Sequence, residues 1–310
     1  MTAEVIDGRK IAAALREQVA DEARGARAAG VPVGLATVLV GDDPAAATYV
    51  RRIDRTAAAL GIPRREVALP GSASTSDVID TVAGLNQDPE VSGILVLRPL
   101  PAGSDEAAVF KALDPVKDIE AVHPENAGLL ALGTPRYVPS TAAAVFHVLD
   151  WWLDQAGLER SAFYHGARLV VVGRSNNVGK PAVSLAFARE AAVTSVDEWA
   201  SVGGQLGTHT RRADVLVVAA GVPGLIKAEH IRPGAVVLDV GINVVDGAGD
   251  GESRIVGDVA WDDVVTRARA VTPVPGGIGP VTDMWLLRNT IRAAHNAAET
   301  ITPTPERPAS

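Results

Sequence analysis

The stretch VVVGRSNNVGKP joins an apolar run to a helical pattern, and its small residues are placed to hold a phosphate. Gly173 closes the run, Ser175 stands in the N-cap region, and Gly179 lets the helix pack closely. A small-residue turn at a helix start offers unpaired N–H groups and the positive dipole end to a pyrophosphate. The spacing G-x-S-x-x-x-G departs from G-x-G-x-x-G, and a plain structural turn explains the motif alone equally well. A second strand follows about twenty residues on, where such nucleotide folds carry the acid that bonds the adenosine ribose 2′-hydroxyl. That strand ends TSVDEW, so Asp197, with Glu198 beside it, suits the role and disfavours a 2′-phosphate. Arg174 leans the other way, since an arginine there could accept that phosphate. Two adjacent carboxylates outweigh one arginine, so the reading is NAD, with NADP as the alternative.

A second chemical feature is the pair Tyr49 and Ile53 in PAAATYVRRIDRTAAALG, four residues apart on one face of an expected helix. An aromatic face suits a flat ligand. One turn further on, an enzyme could keep a proton-transfer group, and this chain keeps isoleucine. Core packing is the bland explanation.

Composition narrows the field. With 310 residues, two domains fit comfortably. The chain has no cysteine, which excludes disulfides and thiol chemistry and fits a cytoplasmic enzyme. The charged N-terminal stretch lacks an apolar core, arguing against secretion, and no apolar run is long enough to span a membrane. A net charge of -8 disfavours nucleic acid as the main partner. His123, His165, His209 and His230 show no ligand spacing, so no metal site is expected. Ser175 lacks the G-x-S-x-G context of a nucleophile elbow. Trp151 and Trp152 diverge on a helix and read as core or dimer packing. Lys117 and Asp118 in VKDIE either orient the loop carrying Glu120 or form a structural salt bridge.

The elements that must position these residues alternate between strands and helices, the pattern of an α/β protein with mostly parallel sheets. In the first half, helices are expected over about 8–29 and 75–87, with a third around Tyr49, and strands over 33–41, 64–68 and 93–100. Residues 114–141, rich in Pro, Asp and Glu, read as a long loop, functional or linking. In the second half, helices over 142–156 and 281–299 frame strands at 167–173, 191–196, 214–221, 235–241 and 268–274. Their near-continuous Val, Leu and Ala runs suit parallel strands buried on both faces. The Pro-rich tail, 301–310, is expected to be disordered.

Several of these segments, in order, resemble the methylenetetrahydrofolate dehydrogenase/cyclohydrolase family of the FolD type. They are LVGDDPAAATYV, GILVLRPLP, VKDIEAVHPENAG, VVVGRSNNVGKP, ADVLVVAAGVPG, GAVVLDVGIN, VGDV and TPVPGGIGPVT, the last highly specific. The resemblance implies two α/β domains around a cleft. A folate-binding catalytic domain would span 1–141, completed by a C-terminal helix over 280–300, and a Rossmann-like NAD(P)-binding domain would span 142–279. It implies a tetrahydrofolate derivative as substrate and a homodimer. Tyr49 would stack on the folate, Pro99, Leu100 and Pro101 would shape its cleft, and Gly276 and Gly277 would permit close approach. Gly173, Arg174, Ser175, Val178, Gly179, Asp197, Ala220, Gly221, Ile242 and Thr282 would line the cofactor.

The departures carry the functional expectation. The family's catalytic lysine is replaced by Ile53 and its partner glutamine by Leu97. The family's DVDG, whose second aspartate binds the pterin, reads DIEA, so Glu120 carries the carboxylate and Ala121 replaces glycine. The family's PCTP reads PSTA, Pro139 to Ala142. Oxidising methylenetetrahydrofolate moves a hydride to nicotinamide and needs positioning above all. Hydrolysing the methenyl product needs proton shuttling, work for a tuned lysine. Arginine is a poor base, although Arg52 could give electrostatic support. The expectation is a dehydrogenase whose cyclohydrolase activity is lost or severely impaired, similar in these motifs to the monofunctional NAD-dependent fungal enzymes. Two other readings stay open: a related oxidoreductase with a changed substrate in a specialised biosynthetic pathway, and an inactive scaffolding homologue.

Overall fold

The computed structural model describes residues 2–245 and 254–301, with side chains through residue 298. The chain begins β1 (Glu4–Val5), α1 (Gly8–Ala28), β2 (Leu35–Val40), α2 (Pro44–Ala59), β3 (Arg64–Leu69), α3 (Thr75–Gln87) and β4 (Gly93–Val96). Then come α4 (Glu106–Lys111), α5 (Pro124–Ala131), α6 (Ser140–Gln155), α7 (Arg160–Gly166), β5 (Arg168–Val172), α8 (Gly179–Phe187) and β6 (Ala192–Val196). The remainder is α9 (Glu198–Val202), α10 (Leu206–Thr210), β7 (Val215–Val218), β8 (Val236–Asp239), β9 (Asn243–Val245), β10 (Arg254–Val256), α11 (Trp261–Val264), β11 (Ala270–Val271) and α12 (Ile278–Ile301).

Two compact units result, one of Met1–Leu15 with Pro139–Trp285, the other of Arg16–Val138 with Leu286–Ser310. The first holds a parallel six-stranded sheet in the order β1-β11-β8-β7-β5-β6. Apart from Arg168 and Asp239 at their ends, strands β5, β7 and β8 are apolar along both faces and buried, as parallel strands covered on two sides must be. From β5 the chain passes to β6 on one side and then to β7 on the other. That reversal opens a crevice at the C-terminal end of β5, where open α/β sheets bind ligands. The second unit has a parallel three-stranded sheet, β3-β2-β4, with every residue of β2 buried. The later part of α12 packs here: Asn289 Nδ2 donates to Ile119 O and Val138 O, and Arg288 Nη2 pairs with Glu22 at 2.6 Å.

Three expectations change. Residues 1–15 group with the sheet of the dinucleotide half, because β1 pairs with β11 and Ala3 N donates to Val265 O. The strand expected over 93–100 ends at Val96, ahead of a cis Arg98–Pro99 bond; proline has no N–H for a ladder. The loop expected over 114–141 contains α5, started by Pro124 at its first position, with His123 accepting from Glu125 N. The antiparallel pair β9 and β10 was not legible in the pattern. The expected disordered tail lies, except for Ile301, outside the described residues.

Candidate functional site

The turn after β5 is tightly packed around its glycines. Gly173 has φ +109°, and a Cβ there would collide with the carbonyl of Ala219. A Cβ on Gly179 would strike the carbonyl of Gly173, so the start of α8 sits directly on the turn. Ser175 lies ahead of the helix, whose N-cap residue is Val178; its Oγ accepts from Val178 N (3.2 Å) and Gly179 N (3.4 Å).

Arg174 and Asp197, opposing signals in the sequence, are partners in the structure. The guanidinium donates from Nη1 to Asp197 Oδ2 at 2.7 Å and from Nη2 to Ser195 O at 2.8 Å, with Nε 3.2 Å from Ser195 Oγ. It therefore lies against the end of β6, with its charge matched by the carboxylate.

Two buried aspartates that the sequence reading left unassigned organise the neighbouring loops. Asp258 accepts from Ala220 N (2.6 Å), Gly221 N (2.8 Å) and Asn243 Nδ2 (2.9 Å). Asp239 accepts from Gly241 N, Asp258 N and Val259 N at 3.0–3.1 Å. Burial, with Asp258 adding to it, pushes the Asp239 carboxyl up to about 7. Ala220 and Gly221, expected at the cofactor, thus owe their backbone path to Asp258, and VGDV was the legible signal. Ile242 is exposed beyond Gly241. Thr282 is buried, and its hydroxyl donates to Ile278 O within α12.

The residues expected at the folate lie in the other unit, except for Gly276 and Gly277. In α2, capped by Asp43 accepting from Ala46 N, the buried stripe is Ala46, Val50, Ile53 and Ala57. Ile53 is 0% exposed, so it does pack in the core. Tyr49 is half-buried, with the Arg52 guanidinium 5.1 Å from its ring centre. Leu97, 5% exposed, continues β4 by donating its N–H to Val38 O. Neither position holds a group that can carry a proton.

The segment Pro99, Leu100 and Pro101 follows, with Leu100 and Pro101 half-buried and Pro99 exposed. Arg98, passed over in the sequence, has its guanidinium 4.3 Å from the Phe110 ring centre and Nε 2.8 Å from Glu106. Burial lowers its pKa, while Glu106 and Glu120 oppose the shift. Arg98 is thus a positive charge within the field of Glu120.

Asp118 organises the loop carrying Glu120. It is fully buried and accepts from Val122 N (3.1 Å), His123 N (2.8 Å) and Asn126 Nδ2 (2.8 Å). Burial raises its pKa against those bonds. Lys117 instead donates to Leu85 O and Asp88 O, anchoring the end of α3. Ala121 has φ +52°, the left-handed region where glycine is at ease. Ala121→Gly should stabilise the fold by about 0.5–1 kcal/mol, the relieved strain less the added freedom of the unfolded chain. Urea unfolding checks this; destabilisation would show the strain to be absent.

Gly276 and Gly277 group with the dinucleotide turn. Their lack of a side chain is explained by the chain itself: Gly276 has φ +110°, and a Cβ on Gly277 would meet Pro273 O and Thr272. Trp152 is buried with Nε1 donating to Glu4 Oε2, in keeping with a core role. Among the described residues there is no cluster of His, Cys, Asp or Glu suited to a metal, and no helix long and apolar enough to cross a membrane.

A parallel sheet with a glycine turn at its switch point and an acid after the next strand defines an NAD(P)-binding α/β protein. Residues 6–120 match the model of the tetrahydrofolate dehydrogenase/cyclohydrolase catalytic domain, and residues 139–298 match that of the same family's NAD(P)-binding domain. The chain is 57% identical over 299 residues to the bifunctional protein FolD 3 of Rubrobacter xylanophilus, covering 96% of this chain and 94% of that one. It superposes on the Trypanosoma brucei methylenetetrahydrofolate dehydrogenase-cyclohydrolase complexed with NADP and inhibitor with a TM-score of 0.87, at 35% identity and 96% and 99% coverage. The Bombyx mori 5,10-methylenetetrahydrofolate dehydrogenase gives a TM-score of 0.85, at 32% identity and the same coverage. The chain belongs to the tetrahydrofolate dehydrogenase/cyclohydrolase family, the FolD family.

Proposed function

We propose that this family member oxidises 5,10-methylenetetrahydrofolate to 5,10-methenyltetrahydrofolate with NAD, and has lost its cyclohydrolase activity or retains only a trace. The observation that carries the proposal is the burial of Ile53 and Leu97, two side chains without titratable atoms, where the family resemblance calls for lysine and glutamine. NAD, when bound, accepts the hydride, and the product is a cation, so no proton need leave with it. The chain's own task is to hold ligands. Gly173 and Gly179 open the phosphate cradle, and Asp258 fixes the amides of Ala220 and Gly221. Tyr49 offers its ring to the folate, and Glu120, in the field of Arg98, supplies the carboxylate for the pterin. Hydrolysis would need a group that gives and takes a proton, and arginine as a residue type is a poor base.

The choice of NAD rests on Asp197 and its neighbour Glu198. A 2′-phosphate would have to displace the Asp197 carboxylate from Arg174 and lie beside both acids. Initial rates with methylenetetrahydrofolate should show kcat/KM at least tenfold higher with NAD than with NADP, and Asp197→Ala should narrow the ratio. A preference for NADP would sink the argument. The relatives' name, bifunctional, favours a second reading in which hydrolysis survives by another group; a methenyltetrahydrofolate hydrolysis assay separates the two. We further assign the protein to the cytoplasm, in keeping with its cysteine-free composition, and to a homodimer, as the family resemblance implies.

A further inference from the structure

Among the described residues three large aromatic side chains are exposed, Phe187, Trp199 and Trp261, and of these Trp199 follows the acid after β6. Trp199 is 69% exposed, and α9, which carries it, buries none of its residues, so the indole serves no core. It stands two residues beyond Asp197, at the C-terminal end of β6, next in the sheet to β5. A dinucleotide with its pyrophosphate on the Gly173 turn and its ribose at the acid after β6 must carry its adenine outward from that acid. Val222, in the loop after β7 on the other side of β5, is also exposed, at 46%. Exposed apolar residues therefore follow the strands on both sides of β5.

We infer that Trp199 is the adenine platform of this chain, its indole stacking on the base while Asp197 holds the adjoining ribose. This inference rests on the proposed use of a dinucleotide. An indole face suits a purine, and stacking of a base on an aromatic side chain contributes enough for about a tenfold change in affinity on removal to alanine. Arg174, pinned to Ser195 and Asp197, keeps its place as the base arrives.

The test titrates the whole protein with ADP-ribose, AMP and nicotinamide mononucleotide, following tryptophan fluorescence and calorimetric affinity. Wild type should bind ADP-ribose, and AMP should change its fluorescence. Trp199→Ala should weaken ADP-ribose about tenfold, leave nicotinamide mononucleotide binding within twofold, and abolish the AMP-induced change. Trp199→Phe should recover most of the affinity while still lacking the fluorescence change. Unaltered ADP-ribose affinity in Trp199→Ala, or equal losses for both half-ligands, overturns the platform alone. Wild-type protein that binds no ADP-ribose overturns the dinucleotide reading with it.

Discussion

Replacing Asp258 with alanine is expected to destabilise the dinucleotide-binding unit by about 2–4 kcal/mol and to weaken ADP-ribose binding with it. The carboxylate is fully buried and is the acceptor for two backbone amides and one side-chain amide. Without it those donors lose their partner, and each such loss costs on the order of 1–3 kcal/mol. Part of the cost is offset, because removing Asp258 also removes a negative charge beside the buried Asp239. Asp258→Asn keeps the shape and one acceptor oxygen, so it should cost roughly half as much. Urea unfolding gives the stability, and its slope shows whether the transition stays two-state. A loss below about 0.5 kcal/mol for the alanine variant would contradict the role given to this carboxylate.

The second large effect concerns position 53. Ile53→Lys alone should destabilise the folate-side unit by about 2–4 kcal/mol, because an ammonium would replace a methyl group at a site with no exposure. Desolvation would lower the lysine pKa, which is the direction that makes it a useful proton carrier near neutral pH. Adding Leu97→Gln supplies a carbonyl acceptor, so the double variant should be more stable than Ile53→Lys. It should also hydrolyse methenyltetrahydrofolate at least tenfold above the spontaneous rate, a modest share of what general acid–base catalysis can contribute. A folded double variant with no gain would place the deficit elsewhere in the pocket.

The sequence carried the major elements because their apolar periods are strong. The buried runs of β5, β7 and β8 and the amphipathic α1 and α3 are legible without partners. Short elements were not: β1 has two residues and exists only because β11 lies beside it, and α5 is hidden in a segment whose Pro124 reads as a loop signal although it starts a helix. In the site, residue types named the candidates, but pairing needed coordinates. Arg174 and Asp197 read as rivals until the 2.7 Å ion pair joined them. Gly277 read as room for a ligand, whereas its missing Cβ is first required by Pro273 O and Thr272. Asp118 was named with Lys117 for the loop carrying Glu120, and it alone of the two holds that loop; Asp258 escaped notice as an organiser because a buried aspartate bonding to backbone amides has no sequence signature beyond its motif.

Whether oxidation proceeds without hydrolysis is tested by one progress curve. Purified wild-type protein is given methylenetetrahydrofolate and NAD, and methenyltetrahydrofolate and NADH are followed together over a series of protein concentrations. Methenyltetrahydrofolate should accumulate in step with NADH and then decay at the spontaneous rate, whatever the protein concentration. Decay that quickens in proportion to protein concentration would contradict it.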